Sequence, residues 1–169
     1  MATPLFISLN ELKKSTAING NIDANKLLPA IKTAQQLEIE PILGTDLYDK
    51  LSLEISSGTI SGDYLTLKND YIHDVLIHFA VSYYLPYATY QITNGGVSKW
   101  EGGDNFSSIE TGELNILTNK EKALGESYKA RLISYLCANS ALYPEYTSNS
   151  DADDIHPSND SNVSGLYLN

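Results

Sequence analysis

The side chains of this chain that could do chemistry are three histidines, one cysteine and an acidic cluster near the C-terminus. His73 and His78 are five residues apart, whereas two zinc ligands on one helix face are spaced by four. We therefore expect both histidines to be structural. The acidic cluster, residues 151–156, lacks the alternating ligands, central glycine and closing glutamate of a calcium loop. It is typical of a solvated acidic tail.

Nucleophiles and cofactor motifs are equally sparse. Cys137 is the single cysteine, which excludes an intrachain disulfide, and its apolar helical surroundings predict an inert buried thiol. The sequence has no phosphate-binding lysine loop, dinucleotide fingerprint or nucleophile elbow, and its paired glycines lie outside any strand–helix context. We predict no enzyme, no cofactor and no metal site. An enzyme with a carboxylate pair remains an alternative, because any acidic chain contains candidate pairs.

Composition is that of one ordinary domain with an acidic surface. The 169 residues carry a net charge of −10, which argues against tight binding to phosphate backbones but permits a passage through which DNA slides. Twelve tyrosines indicate partly solvated contact surfaces, because each combines a large apolar ring with a polar hydroxyl, although ordinary core packing explains many of them equally well. The N-terminus does not read as a signal peptide, and the longest apolar stretch, 75–88, is too short to span a bilayer. We expect a soluble intracellular protein.

The first third of the chain predicts three short helices. Ser8-Leu-Asn-Glu11 is a capping box that opens a helix to about Thr16. Asp23 or Asn25 caps a second helix, in which proline fits only near the first turn, and Pro41 ends it. A third helix runs from about residue 45 to residue 56.

The remainder predicts two longer helices separated by an insertion. A long helix begins at Asp63, is apolar nearly all round beyond residue 75 and is kinked at Pro86, so it is either central in the domain or covered by another subunit. Asn94-Gly95 marks a projecting loop or β-hairpin over residues 91–117. A second capping box at Thr118 opens the last helix, which Pro144 closes.

These elements predict an all-α fold, a small bundle of about five helices with a long loop or β-hairpin extension and an irregular C-terminal tail. We divide the chain into a helical domain, 1–146, and an acidic tail, 147–169, which cannot fold alone and becomes ordered on a partner.

Two groups of motifs resemble the head–tail connector, or adaptor, proteins of tailed bacteriophages. The first is Ile7-Ser-Leu-x-Glu-Leu12, then Asp23, then Ala34-Gln35, closed by Pro41-x-Leu-Gly44 and an aromatic residue. The second comprises Tyr83-Tyr-Leu-Pro-Tyr87 and Ile92-Thr-Asn-Gly-Gly-Val97, which resemble connectors from phages of Bacteroidetes-type hosts, including crAss-like phages. The long insertion and the acidic tail depart from the short connectors.

The resemblance implies a structural virion protein that is made in the host cytoplasm and located in the neck at the portal vertex. Such proteins assemble as a ring, usually a dodecamer, on the portal protein and give a platform for tail or further neck proteins. DNA passes through the ring without specific binding, and no membrane is involved. The resemblance carries no catalytic site.

A ring subunit needs two different contact patches, and we hypothesise that Trp100 and nearby loop residues form one of them. Packing of Trp100 under its own loop is the alternative. The full set of candidate interface residues is Tyr83, Tyr84, Tyr87, Tyr90, Trp100, Phe106, Leu166, Tyr167 and Leu168. The alternative function is a monomeric regulatory or protein-binding module that grips its partner with tyrosine-rich helices.

Overall fold

A computed structural model describes residues 4–18, 22, 24–88, 90–94, 96–99, 109–148 and 154–158. The described residues form an all-α bundle with one small hairpin, which confirms the predicted fold class. The helices are α1 (Leu9–Ser15), α2 (Ala24–Ala34), α3 (Glu40–Ser57), α4 (Gly62–Thr66), α5 (His73–Ala88), α6 (Thr111–Ala138) and α7 (Pro144–Ser148). Two π-helical segments, Gln35–Ile39 and Leu67–Ile72, join α2 to α3 and α4 to α5.

The N-terminal helix begins as predicted. Ser8 Oγ accepts a hydrogen bond from the Glu11 amide, and the Glu11 carboxylate accepts one from the Ser8 amide, so both halves of the capping box are present. Leu12 is fully buried and anchors this short helix to the core. The predicted helix stop at Asn19-Gly20 and the predicted cap Asp23 lie outside the described residues.

Pro41 does not end the second helix, contrary to the sequence prediction. The helix widens into the first π-segment, where the Glu40 amide bonds the Gln35 carbonyl, and Pro41 sits in the first turn of α3. Proline lacks an amide proton, so the altered register accommodates the missing bond. Pro29 is likewise inside α2, beyond the first turn where we expected it. Burial of Leu27 and Ile31 on the same helix stabilises that arrangement.

Helix α5 is the centre of the bundle. It packs between α2 and α6, and its buried residues lie on several faces. Of the two predicted explanations for its all-round apolar character, the structure therefore shows the first, a position at the centre of the domain. The helix continues through Pro86 to Ala88. The core that surrounds it draws on α1, α2, α3, the second π-segment and α6.

The predicted hairpin is present, and the predicted start of the last helix is wrong. Strands β1 (Tyr90–Thr93) and β2 (Gly96–Lys99) pair antiparallel, with Thr93 opposite Gly96. Helix α6 begins at Thr111, seven residues before the predicted cap. Thr118 Oγ1 instead donates to the Leu114 carbonyl one turn earlier, so the capping-box pattern lies within the helix.

The end of α6 also differs from the prediction. The helix stops at Ala138, and a single 3-10 turn, Ser140–Leu142, leads to Pro144, which begins α7 instead of closing α6. Tyr143, which the prediction places in the helix just before Pro144, lies in this connection and is fully buried. Cys137 is exposed, not buried, because the core-facing positions of this turn are Leu132, Ile133 and Leu136.

Candidate interaction surface

Helices α5 and α6 run antiparallel, and this arrangement defines one end of the bundle. Tyr71, just before α5, stacks on Tyr135 with ring centroids 3.8 Å apart, and His78 stacks on Tyr128 at 5.2 Å. Residue numbers therefore fall along α6 as they rise along α5. The last turn of α5, the hairpin that follows it and the first turns of α6 lie at the same end.

Several large apolar side chains at this end are exposed. Tyr87 in α5 is 67% exposed and Ile116 in α6 is 69% exposed, and Tyr90 in β1 and Leu117 in α6 are also open to solvent. We call these four residues the apolar end. Single exposed apolar residues are ordinary on protein surfaces, but a group of them at one end of a bundle is typical of a contact surface.

Some of the predicted interface tyrosines are exposed, and others are buried or bonded within the chain. Tyr87 and Tyr90 belong to the apolar end, whereas Tyr84 is buried in the core. Tyr83 donates a 2.5 Å hydrogen bond to Glu38 Oε1, and Lys129 Nζ lies 2.9 Å from Glu38 Oε2. Burial, followed by the bond to Glu38, raises the pKa of Tyr83 above its usual range. Tyr83 thus joins α5, α6 and the first π-segment within the chain.

A second group of tyrosines also packs internally. Tyr143 donates to the Asp63 carbonyl at 3.0 Å, its hydroxyl lies 3.0 Å from that of Tyr135, and its ring meets Tyr64 edge to face. Tyr64 donates to Glu145 at 2.7 Å. Burial is the main cause that raises the pKa of Tyr143. These residues hold the end of α6 against α4 and leave little aromatic surface for a partner.

The other predicted interface residues lie outside the described part of the chain. They are Trp100, Phe106, Leu166, Tyr167 and Leu168. The exposed Ile116 and Leu117 are not among the predicted candidates, because their sequence context predicts a loop over residues 91–117. Helical spacing counted back from Leu124 to Leu117 was the signal that could have found them.

Two histidines lie beside carboxylates, His78 across the contact between α5 and α6 and His73 within α5. His78 Nδ1 lies 2.8 Å from Glu121 Oε2, and His73 Nδ1 lies 3.1 Å from Asp74 Oδ1. Among the described residues no three His, Cys, Asp or Glu side chains are grouped as metal ligands. Burial, with a smaller contribution from the nearby Cys137, raises the pKa of Tyr146 to about 12. None of the described helices is long and apolar enough to cross a membrane.

Part of the acidic tail contacts the chain itself. Helix α3 is interrupted at Gly44, whose φ of 74° and ψ of 164° are suited to glycine. The Thr45 amide, which begins the next helical stretch, donates to the Ile155 carbonyl at 3.0 Å, and Thr45 Oγ1 accepts from the Ile155 amide at 2.9 Å. The Ser158 amide donates to the Pro41 carbonyl at 2.8 Å. Residues 154–158 thus satisfy backbone groups that the break leaves open.

Comparison with known proteins gives one match. The model of a family described as "Family of unknown function (DUF6712)" matches residues 39–155, which is more than half of the chain. The matched range includes α3, α5, the hairpin, α6 and the first residues of the tail contact, and it leaves out α1 and α2. No curated protein and no solved structure matches the chain.

Proposed function

We propose that this chain, which belongs to the family of unknown function DUF6712, is a structural subunit of a ring at the portal–tail junction of a tailed bacteriophage. In this role it would bind the portal protein on one side and tail or further neck proteins on the other. The ring would surround a passage for DNA in the virion neck, after synthesis of the chain in the host cytoplasm.

Two kinds of observation support the proposal. The motifs at residues 7–12, 34–44, 83–87 and 92–97 resemble phage connectors, and a small helical bundle is the fold that this resemblance implies. The net charge of −10 fits a passage along which DNA moves without adhering, because phosphate binding requires clustered basic residues.

The apolar end is the observation that carries the proposal. A ring subunit must present apolar surface that a neighbour covers, and Tyr87 and Ile116 remain exposed although the bundle core is complete without them. Leu53, on α3, is exposed to the same degree but belongs to a different element. It therefore offers a matched control for a variant of the apolar end.

The alternative, a monomeric module that grips its partner with tyrosine-rich helices, has less support. Of the tyrosines whose burial the structure describes, Tyr87 and Tyr90 are exposed, and the others are buried or half-buried. Contacts within the chain account for Tyr83, Tyr135 and Tyr143. A tyrosine-based grip would have to rest on the two residues of the apolar end.

The test compares the parent chain with Ile116→Asp and with Leu53→Asp. Mass photometry and electron microscopy would measure assembly of each protein alone and mixed with the portal protein of the phage concerned. We expect rings or portal complexes from the parent and from Leu53→Asp. We expect about a tenfold or greater loss with Ile116→Asp, since it places a charge in a desolvated contact.

Two results would contradict the proposal at different points. A parent chain that stays monomeric both alone and with portal would exclude a ring subunit and favour the binding module. Equal assembly by both variants would remove the apolar end as the contact. Melting temperatures of the two variants, measured without partner, control for misfolding.

A further inference from the structure

The hairpin is too small to be stable by itself. In the part of the chain that the structure describes, the sheet has two strands of four residues each. A lone two-stranded hairpin is marginal in water and gains stability from a third strand or from packing on a helix. Among the described residues, the main contact of the hairpin with the bundle is that of β1 with the adjoining α5. No third strand of the described residues completes this sheet.

The register shows which backbone groups face outward. In a hairpin with a two-residue loop, the two residues that flank the loop form a hydrogen-bonded pair. Hydrogen-bonded and non-hydrogen-bonded pairs then alternate along the strands, and the backbone amides and carbonyls of the non-hydrogen-bonded pairs point outward, away from the partner strand. Thr93 and Gly96 flank the loop, so the next inward pair is Gln91 with Ser98. The outward-facing amides and carbonyls therefore belong to Tyr90 and Ile92 on β1 and to Val97 and Lys99 on β2.

We propose that these edges pair with hairpins of neighbouring copies, β2 of one subunit with β1 of the next. Because the two strands of one hairpin are antiparallel, a rotated copy placed beside it continues the sheet with antiparallel pairing. The two edges differ, so the contact repeats around a closed ring and leaves no strand edge unpaired. This inference rests on the proposed ring function and specifies how its subunits recognise each other.

A second copy is the occupant that the position of the hairpin favours. Tyr90 is both the first residue of β1 and a member of the apolar end, and Tyr87 precedes it by three residues. A neighbour that covers the apolar end is therefore adjacent to the strand edges. Burial of the apolar side chains and pairing of the backbone edges belong to one continuous contact.

The test uses Val97→Pro, with Val97→Thr as its matched control. Proline at residue 97 removes an outward amide and leaves the inward bonds of Gln91 and Ser98 in place, whereas threonine is β-branched and keeps the amide. We expect Val97→Thr to assemble like the parent and Val97→Pro to assemble at least tenfold more weakly. The melting temperature of the bundle should be the same in both variants.

Residue-resolved hydrogen exchange gives an independent readout. On assembly of the parent, the amides of Tyr90, Ile92, Val97 and Lys99 should become protected from exchange. If Val97→Pro assembles as well as the parent, edge pairing is wrong while the ring function stands. If the parent forms rings without this protection and the protection appears only after portal is added to the rings, the portal supplies the strand and the inference is overturned. If the parent forms no assembly under any condition, the ring function fails and the inference fails with it.

Discussion

Gly125 of α6 packs directly against the ring of Phe79 in α5. A Cβ atom placed at residue 125 would lie 2.8 Å from both Cδ2 and Cε2 of that ring, closer than carbon atoms approach without displacement. The absence of a side chain at this position lets α5 and α6 approach each other closely, and the contact contributes to the register in which the two antiparallel helices pack.

Substitution of this glycine should destabilise the bundle. We expect Gly125→Ala to lower the free energy of unfolding by about 1–3 kcal/mol, because the added methyl overpacks the contact with Phe79. Gly112→Ala is the control, since a Cβ at residue 112 meets no atom within 4 Å. It should be neutral or stabilising by up to about 1 kcal/mol, as alanine is the better helix former. Urea unfolding of both variants measures this, and equal stabilities would contradict the close packing.

Gln35 should be essential for holding the segment before α1, residues 4–7, against the bundle. Its Oε1 accepts from the Phe6 amide at 2.8 Å, and its Nε2 donates to the Pro4 carbonyl and to the Tyr48 hydroxyl. Gln35→Ala leaves these hydrogen-bonding groups without their partner. We therefore expect the free energy of unfolding to fall by about 2–3 kcal/mol and the Phe6 amide to exchange faster.

The neighbouring Gln36 is exposed and provides the matched control. Gln36→Ala should leave both the stability and the exchange at Phe6 unchanged. A Gln35→Ala variant that unfolds at the same urea concentration as the parent would show that the hydrogen bonds of Gln35 do not hold this segment.

The Thr45 hydroxyl makes one of the three hydrogen bonds between the tail and α3. Thr45→Val keeps the shape of the side chain but removes the acceptor of the Ile155 amide. We expect the Ile155 amide to exchange about fivefold faster, corresponding to the loss of about 1 kcal/mol, with little change in melting temperature because the contact is exposed. Thr45→Ser should behave like the parent. Unaltered exchange in Thr45→Val would mean that the hydroxyl does not hold the tail.

The capping box predicts a pH dependence. Partial burial tends to raise the pKa of Glu11, but hydrogen bonds from Ser8, and then the charge of Lys68, outweigh it and lower the pKa below its ordinary value of 4.5. A lowered pKa in the folded state contributes stability above the unfolded pKa, and that contribution is lost as the pH falls through the folded value.

The difference in unfolding free energy between the parent and Glu11→Gln is the quantity to measure. It should favour the parent and be constant near neutral pH, and it should shrink as the pH falls below about 4.5. A difference that grows on acidification would show that the carboxylate is not the stabilising form.

Features governed by neighbouring residues were predictable from the sequence. The capping box of Ser8 and Glu11 was predicted because both partners lie within one helical turn. The hairpin was predicted because Asn94-Gly95 favours a two-residue loop that fixes the strand register. The all-round apolar character of α5 likewise indicated a central helix before any contact was known.

Predictions that relied on a local sequence signal were wrong where packing in the bundle overrides that signal. Pro41 is a local stop signal, yet the helix continues past it as far as the break at Gly44, because a π-turn absorbs the missing amide and the core covers Ile39 and Leu43. Thr118 begins a capping pattern, yet α6 starts at Thr111, seven residues before it, and buries Leu114 in the added turns. Cys137 is exposed because rotation of α6 against α5 turns other residues toward the core.

The sequence by itself determined the all-α class, the central helix and the hairpin, because hydrophobic spacing and turn chemistry act over a few residues. Only the tertiary structure decided which tyrosines remain available to a partner. Tyr83 and Tyr87 are one helical turn apart in the same helix, but one bonds Glu38 inside the bundle and the other is exposed at its end. That difference arises from the rotation and register of α5 against its neighbours, which close packing at residues such as Gly125 fixes and which no local pattern encodes.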